Sequence, residues 1–148
     1  MNAAPDLTQR PPRSMRARLG GFVILPRMLD KGRAELAGKS GEYHYNCPLD
    51  QHFLKFAGVD AEALREQLAQ GKGDGEILEW IQNHSRHART PQEIHLWSAY
   101  HETRGPASVE QREYFQDLHR QIAPGREDIA SWADLLDLDD FVSFGGKA

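Results

Sequence analysis

Cysteine and long apolar segments are scarce in this chain of 148 residues, which has one cysteine. A single cysteine excludes an internal disulfide bond, so we expect a reducing compartment. The longest apolar run, Phe22 to Leu25, is far shorter than the ~20 residues that span a bilayer and too short for the core of a signal peptide. The sequence therefore predicts a soluble, cytoplasmic protein with no membrane partner.

Signatures of common enzymes are also missing. The chain has no Walker-type phosphate loop, no GxGxxG after a strand, no HExxH zinc motif and no GxSxG nucleophile motif. Each of these motifs places a glycine backbone, a metal ligand or a nucleophile where the chemistry requires it. The common nucleotide-binding and hydrolase classes therefore have no support, no cofactor is predicted, and we lean away from an enzyme.

Charge is distributed unevenly along the chain. Residues 1–40 hold eight basic and three acidic side chains, a net +5, and the other residues bring the total to −4. The segment from Glu127 to Asp140 carries six acids and no lysine or arginine. This asymmetry favours a basic N-terminal segment that lies on an acidic body.

The N-terminal arginines offer an alternative function, association with nucleic acid. The arm consists of Arg10, Arg13, Arg16 and Arg18. Proteins that bind nucleic acids usually add aromatic side chains for stacking or a helix for a groove. This arm has no aromatic residue, and the acidic remainder of the chain would repel a polyanion. Nucleic-acid binding is thus a disfavoured alternative.

Helical periodicity dominates after residue 13. Pro5, Pro11 and Pro12 interrupt residues 1–13, which show no apolar period. We therefore expect a disordered tail over residues 1–13 and a single helical domain over residues 14–148. In the segment LPRMLDKGRAEL, the spacing of the apolar residues places them on one face of a helix.

Start signals for further helices recur at short intervals. Prolines suited to a first turn, capping side chains and capping boxes predict about seven helix starts. They lie at or near Pro26, Pro48, Asp60, Asp74, Thr90, Ser108 and Asp128. Short connections favour antiparallel neighbours, so the sequence predicts an all-α fold, a compact bundle of about six to seven short helices. A minor two-stranded contact at Tyr43 to Tyr45 or Phe22 to Leu25 would not change that class.

The junction between the Pro26 helix and the Pro48 helix is the predicted working surface. Polar side chains there would lie beside aromatic walls, the usual composition of a small-molecule pocket. The candidate ligand-binding residues are Arg27, Asp30, Lys31, Tyr43, His44 and Cys47. We expect a non-catalytic protein that binds a small ligand or a protein partner here. For the polar face of the Pro26 helix itself, the favoured interpretation is a solvated surface on which Asp30 pairs with Arg27 and Arg33. The alternative is an anion site, with Arg27 as the fork for a carboxylate or phosphate.

Cys47 is the basis of the main alternative, an enzyme with a thiol site. It precedes Pro48, so the N–H groups and the dipole of the helix N-terminus would make its thiol more reactive. His44 lies three residues earlier and could act as the base. Asp50, in the first turn, acts in the opposite direction. An inert, half-buried cysteine is the other interpretation, and no catalytic residue is assigned.

Seven histidines raise the question of a metal. His84, His101 and His119 fall on the apolar faces of three consecutive helices, and three imidazoles suit zinc. In an up-down-up arrangement with a rise of about 1.5 Å per residue, His101 would lie about 9 Å along the axis from the other two. We therefore predict no metal site, and a homodimer is left open.

Two segments, LPRMLDK and GEYHYNCPLD, resemble a family of small bacterial proteins that is known only as a domain of unknown function. The similarity runs over roughly residues 13 to 81, includes the later EWI, and extends loosely over the rest of the chain. The resemblance implies a bacterial source and a stand-alone small protein. It implies no activity, so no functional residue is transferred from the family.

Overall fold

The computed structural model describes residues 4–148, which form seven helices. They are α1 (Leu25–Leu36), α2 (Pro48–Ala57), α3 (Ala61–Ala69), α4 (Asp74–His84), α5 (Pro91–Thr103), α6 (Val109–Ile122) and α7 (Trp132–Ser143). Over the described residues, β structure amounts to one isolated bridge between Leu19 and Phe22. That bridge lies just before α1, and the segment Tyr43 to Tyr45 takes no part in one. The predicted all-α bundle is confirmed.

Helix α1 lies at the centre of the core, and most of its residues are buried. It packs against α2 and α3. Gly32 allows the contact with α3 to be close, because a Cβ atom there would lie 2.6 Å from Leu68 Cδ1 and 3.0 Å from Tyr45 Cδ1. A residue without a side chain therefore lets Leu68 and Tyr45 approach the backbone of α1 directly.

An aromatic cluster connects α5 to the first helices. The rings of Phe22 and Phe53 meet edge to face with centroids 5.1 Å apart, and Phe56 stacks on Trp97 at 4.8 Å. Aromatic pairs of this kind contribute about 0.5–1.5 kcal/mol beyond the burial of their area. Because Trp97 belongs to α5, the cluster attaches α5 to α2, and α7 in turn packs against α5 and α6.

The segment that precedes α1 packs on the helical body. Leu7 and Met15 are 1% and 0% exposed, and the amide of Leu7 donates to the carbonyl of Lys39 at 2.9 Å. The predicted disordered tail covers residues 1–13, and its residues 1–3 lie outside the described residues. The contacts of Leu7 were not expected for a disordered segment. The division into tail and domain at residue 13 stays a prediction.

Helix starts follow the local signals with small shifts. The side chains of Asp60, Thr90 and Ser108 each accept a hydrogen bond from the amide three residues further on. Asp74 is the first residue of α4, and Gly73 takes the cap position that the sequence assigned to Asp74. As the first residue of α4, Asp74 still places a negative charge in the first turn, where it interacts favourably with the helix dipole. The shift of one residue therefore has little effect on the stability of the helix.

The last helix begins later than predicted. It starts at Trp132 and not near Asp128, because Ser131 is its N-cap and accepts a hydrogen bond from the amide of Asp134. Asp128 is instead bound by Arg126 at 2.7 Å in the preceding loop. Helix α7 ends at Ser143. Its acidic C-terminal half lies beside α1, where Arg27 binds Asp140.

Candidate functional site

Two buried cations one turn apart on α1 define the candidate site. The side chains of Arg27 and Lys31 are 5% and 3% exposed. Arg27 Nη1 and Nη2 donate to the two carboxylate oxygens of Asp140 on α7, at 2.7 and 3.2 Å. Lys31 Nζ donates to Asp50 Oδ1 on α2 at 3.0 Å. Because an unpaired buried charge is very costly, these pairs determine how α2 and α7 dock on α1.

Tyr43 completes the Arg27–Asp140 pair. Its hydroxyl donates to Asp140 Oδ1 at 2.7 Å, and its ring centroid lies 5.4 Å from the guanidinium carbon of Arg27. Burial and the neighbouring Asp140 raise the pKa of Tyr43, so the hydroxyl keeps its proton at neutral pH and acts as a donor. The charge of Arg27 is thus neutralised within the protein, and its fork is not free for the anion that the sequence offered as an alternative.

Lys31 also lies beside the cysteine. Cys47 is half-buried and forms the N-cap of α2, and its Sγ is 3.1 Å from Lys31 Nζ. Burial raises the pKa of Asp50, and Lys31 acts against that rise. Asp50 Oδ2 accepts a hydrogen bond from the amide of Asn46 at 2.9 Å, so the loop before α2 is held by the same carboxylate. The side chain in contact with the thiol of Cys47 is that of Lys31, and not the imidazole of His44.

Four of the six predicted site residues form two pairs, and the other two, Asp30 and His44, belong to neither pair. The structure brings Arg27 to Tyr43 and Lys31 to Cys47. Asp30 instead binds Arg13 through three contacts of 2.9–3.1 Å, so its predicted pairing with Arg27 and Arg33 is replaced. His44 is exposed and forms no hydrogen bond with the other five residues among residues 4–148. Whether any of the six residues binds a ligand stays a prediction.

A pocket of about 540 Å³ opens beside the Arg27–Asp140 pair. Its walls come from the N-terminal segment, α1, the loop before α2, and the C-terminal end of α7. It is lined by Leu7, Thr8, Arg27, Gly41, Glu42, Tyr43, Leu136, Asp139, Ser143 and Phe144. This volume lies within the usual range of small-molecule sites.

Asp139 lines this pocket together with a second acidic residue, Glu42, and the sequence did not identify Asp139 as a site residue. No lysine, arginine or histidine among residues 4–148 bonds to it, and its Oδ1 accepts a 3.4 Å hydrogen bond from Ser143 Oγ. Burial and the adjacent Asp140 raise the pKa of Asp139. Both carboxylates stand in the acidic segment from Glu127 to Asp140. The available signal was their position one turn after Leu135 and Leu136 on the same helix.

The histidines considered as metal ligands lie in different surroundings. His84 is exposed and stacks on Trp80 at 4.8 Å, whereas His101 is buried against Trp97 at 4.6 Å and His52 at 4.9 Å. Burial lowers the pKa of His101 to about 4, and the neighbouring His52 adds to this effect, so its ring is neutral near pH 7. Among residues 4–148, no group of three or more His, Cys, Asp or Glu side chains is arranged to hold a metal ion.

Fold and site together define a small all-α domain with a ligand-sized pocket beside its central helix. The chain belongs to the family described as Domain of unknown function (DUF5069), which it matches over residues 9–142, and the resemblance of its two segments to such a family is confirmed. No curated protein matches the chain. None of the helices in residues 4–148 has the length and apolar character that crossing a membrane requires.

Proposed function

We propose that the protein binds a small organic amine, without catalysis, in the pocket of about 540 Å³ beside the Arg27–Asp140 pair, which we call the amine pocket. The observation that carries this proposal is Asp139, a half-buried carboxylate that no described cation bonds. The positive group in the lining, Arg27, is already bound to Asp140. Asp139 and Glu42 therefore give the lining an excess of negative charge, which favours a cationic ligand over an anionic one.

Apolar walls supply the remaining contacts. Leu7, Leu136 and Phe144 line the pocket together with the ring of Tyr43, and they would cover the hydrocarbon part of the ligand. The ammonium group would pair with Asp139, with the hydroxyl of Ser143 close to the same carboxylate. A few placed polar groups on apolar walls are typical of sites that bind small molecules.

The two alternatives from the sequence have weaker support. Arg13, Arg16 and Arg18 each bind acidic side chains of the helical body at 2.6–3.0 Å, so most of the charge of the arginine arm is already neutralised. The thiol enzyme depended on His44 as the base, but His44 is exposed and has no hydrogen bond to Cys47, whose Sγ instead lies 3.1 Å from Lys31 Nζ. The contacts in the structure therefore support amine binding more strongly than nucleic-acid association or thiol catalysis.

The cellular setting is part of the proposal. We assign the protein to the cytoplasm of a bacterium. The single cysteine supports a reducing compartment, and the family resemblance of the LPRMLDK and GEYHYNCPLD segments supports a bacterial source.

Two probes with the same ring and opposite charge test the function. Protein labelled with ¹⁵N is titrated with 2-phenylethylamine and, separately, with phenylacetate, while amide shifts are followed by NMR at about pH 7 and constant ionic strength. We expect 2-phenylethylamine to shift the amides of residues 41–43 and 136–144 in a saturable way, because both segments line the pocket. Phenylacetate should leave these amides in place. Equal shifts there with both probes, or none with the amine, would contradict the proposal.

Asp139→Asn identifies the carboxylate that is responsible. This change keeps the size of the side chain and removes its charge, so we expect at least a tenfold loss of affinity for 2-phenylethylamine, which corresponds to about 1.4 kcal/mol. Glu79→Gln removes an exposed carboxylate on α4, away from the pocket, and serves as the matched control with unchanged affinity. Equal affinities of the two variants would refute the role of Asp139.

A further inference from the structure

A second cavity, of about 410 Å³, lies on a different part of the molecule. It is bounded by the turn before α1, the end of α4, the connection to α5 and the first turns of α5. It is lined by Arg18, Gly20, Gly21, Phe22, Ala57, Ile81, Gln82, Ser85, His87, Ala88, Arg89, Pro91, Ile94 and His95. The amine pocket shares none of these residues. We propose that this second cavity, the anion cavity, binds a small organic anion, a carboxylate or a phosphate monoester, with an apolar body.

The charge of the lining gives the first argument. Four basic side chains, Arg18, His87, Arg89 and His95, line the anion cavity, and no acidic side chain is among the described residues that do so. The apolar walls include Phe22, Ile81 and Ile94 and would cover the hydrocarbon part of the ligand. Arg18 and Arg89 each pair with a glutamate outside the lining, Glu102 and Glu93. The lining therefore offers hydrogen-bond donors on apolar walls and no carboxylate, a combination that favours an anion over a cation.

The two arginines are held in place while part of each guanidinium remains free. Arg18 Nε and Nη2 donate to Glu102 Oε1 at 3.0 and 2.8 Å, and its Nη1 has one contact of 3.4 Å, to His95 Nδ1. Arg89 Nε donates to the carbonyl of Phe56 at 3.0 Å, its guanidinium carbon lies 4.4 Å from the centroid of the Phe56 ring, and its Nη1 lies 3.6 Å from Glu93 Oε2. Its Nη2 has no partner among residues 4–148. Because these contacts already fix both side chains, little conformational entropy is lost when a ligand binds.

A glycine turn contributes backbone donors. Gly20 and Gly21 both have positive φ angles, 59° and 84°, between the bridged residues Leu19 and Phe22. Their amides donate to no residue in the described part of the chain. Successive backbone N–H groups in such a turn form an anion-binding surface. The turn therefore adds two unused donors to the charge of the arginines.

The turn is rigidly supported. Ser98 Oγ donates to the carbonyl of Gly21 at 2.6 Å and accepts from the amide of Val23 at 3.2 Å. Ile24, directly before α1, has a φ of 73°, which is rare for a β-branched residue and costs free energy. Strain of this kind persists only where the surrounding contacts enforce it, and it clusters at binding sites.

The test uses two anions, phenylacetate and phenyl phosphate, titrated into ¹⁵N-labelled protein at constant ionic strength. We expect saturable shifts of the amides of residues 18–22 and 81–95, which contain most of the lining, and none at residues 136–144. Binding of phenylacetate alone assigns a carboxylate ligand, and binding of phenyl phosphate alone assigns a phosphate monoester. If neither anion gives saturable shifts up to about 10 mM, weaker than typical functional affinities, the proposal is overturned.

Variants assign the shifts to the cavity. Arg18→Gln and Arg89→Gln should each weaken binding of the anions at least tenfold, whereas Arg120→Gln, which changes an exposed arginine of α6, should leave it unchanged. Equal losses in all three variants would indicate general charge attraction and overturn the proposal. Circular dichroism establishes that each variant is folded, and if one of the two cavity variants is not, the other carries the test. Loss of amine binding would leave this result untouched, since the two cavities share no lining residue.

Discussion

The two cavities hold arginine in opposite ways. In the amine pocket, the side chain of Arg27 is 5% exposed and both terminal nitrogens bind Asp140. In the anion cavity, Arg18 and Arg89 have side chains 31% and 30% exposed, and one terminal nitrogen of each, Arg18 Nη1 and Arg89 Nη2, binds no carboxylate among residues 4–148. An arginine whose two terminal nitrogens both bind a carboxylate stabilises the fold, whereas an arginine with a terminal nitrogen that binds no carboxylate can bind a ligand at a cavity.

The surroundings of the cavities differ as well. The amine pocket is built where α7 meets α1, so its charges are part of the contact between helices. The anion cavity is built around a glycine turn that Ser98 fixes from α5. Mutation of an arginine should therefore affect mainly stability in the first region and mainly ligand binding in the second.

Removal of Arg27 should give the largest effect. Arg27→Met leaves Asp140 buried without its cation, and breaking a buried ion pair in this way costs about 3–5 kcal/mol. This expectation reverses the idea of a free anion fork, under which the change would affect binding more than stability. The free energy of unfolding is measured with urea. Arg18→Gln, at a partly exposed ion pair, should cost under about 1 kcal/mol, and equal costs for the two variants would remove the contrast between the cavities.

The glycine turn of the anion cavity gives the second largest effect. In Gly20→Ala, the new Cβ would lie 2.5 Å from Leu78 Cδ1 at a φ of 59°, so we expect a loss of about 2–3 kcal/mol from strain and overpacking. Gly38→Ala is the matched control, because Gly38 has a φ of 69° and open space around it. It should cost about 1 kcal/mol, the price of the backbone conformation alone. Similar losses in urea unfolding would show that the turn is not packed against α4 as described.

Much of the fold follows from local sequence signals. Proline at the start of α1 and α2, and capping by Asp60 and Thr90, act over three or four residues. Such signals can be recognised without knowledge of the tertiary structure. The helix content and most helix starts could therefore be predicted from the sequence.

The candidate sites could be predicted only in part, because they depend on distant pairs. Arg27 and Asp140 are separated by 113 positions, and nothing local distinguishes Asp140 from the other acids of its segment. The junction of the first two helices was identified from polar and aromatic residues, but the partner helix α7 was not. The glycine turn at Gly20 and Gly21 gave no signal for a cavity, since α4 and α5, which complete it, are distant in sequence.

Ligand affinity in the amine pocket should depend on pH. Because burial and Asp140 raise the pKa of Asp139, the carboxylate takes up a proton at a higher pH than an ordinary aspartate. The affinity for 2-phenylethylamine should be constant above that pKa and then fall, by at most about tenfold per pH unit, as the pH drops through it. NMR titrations at several pH values measure this change. The Asp139→Asn variant binds the amine more weakly, and its affinity should not decrease in this way as the pH is lowered. A decrease of the same size in that variant would show that another group is responsible for the pH dependence.

The smallest expected effect is a gain in stability from Asp139→Asn without ligand. A carboxyl whose pKa is raised in the folded state favours the protonated form there, so its contribution to stability is present at low pH and is lost as the pH rises through the folded pKa. At neutral pH the charged Asp139 therefore destabilises the fold, next to Asp140. The neutral variant should be more stable by under about 1 kcal/mol at neutral pH, because solvent screens a half-exposed group.

In urea unfolding this gain should shrink as the pH is lowered, whereas Glu79→Gln should show no such trend. A loss of stability in Asp139→Asn at neutral pH would mean that Asp139 is held by a contact within the protein, as Arg27 is, and the contrast between a paired and a ligand-ready charge would then fail in the amine pocket.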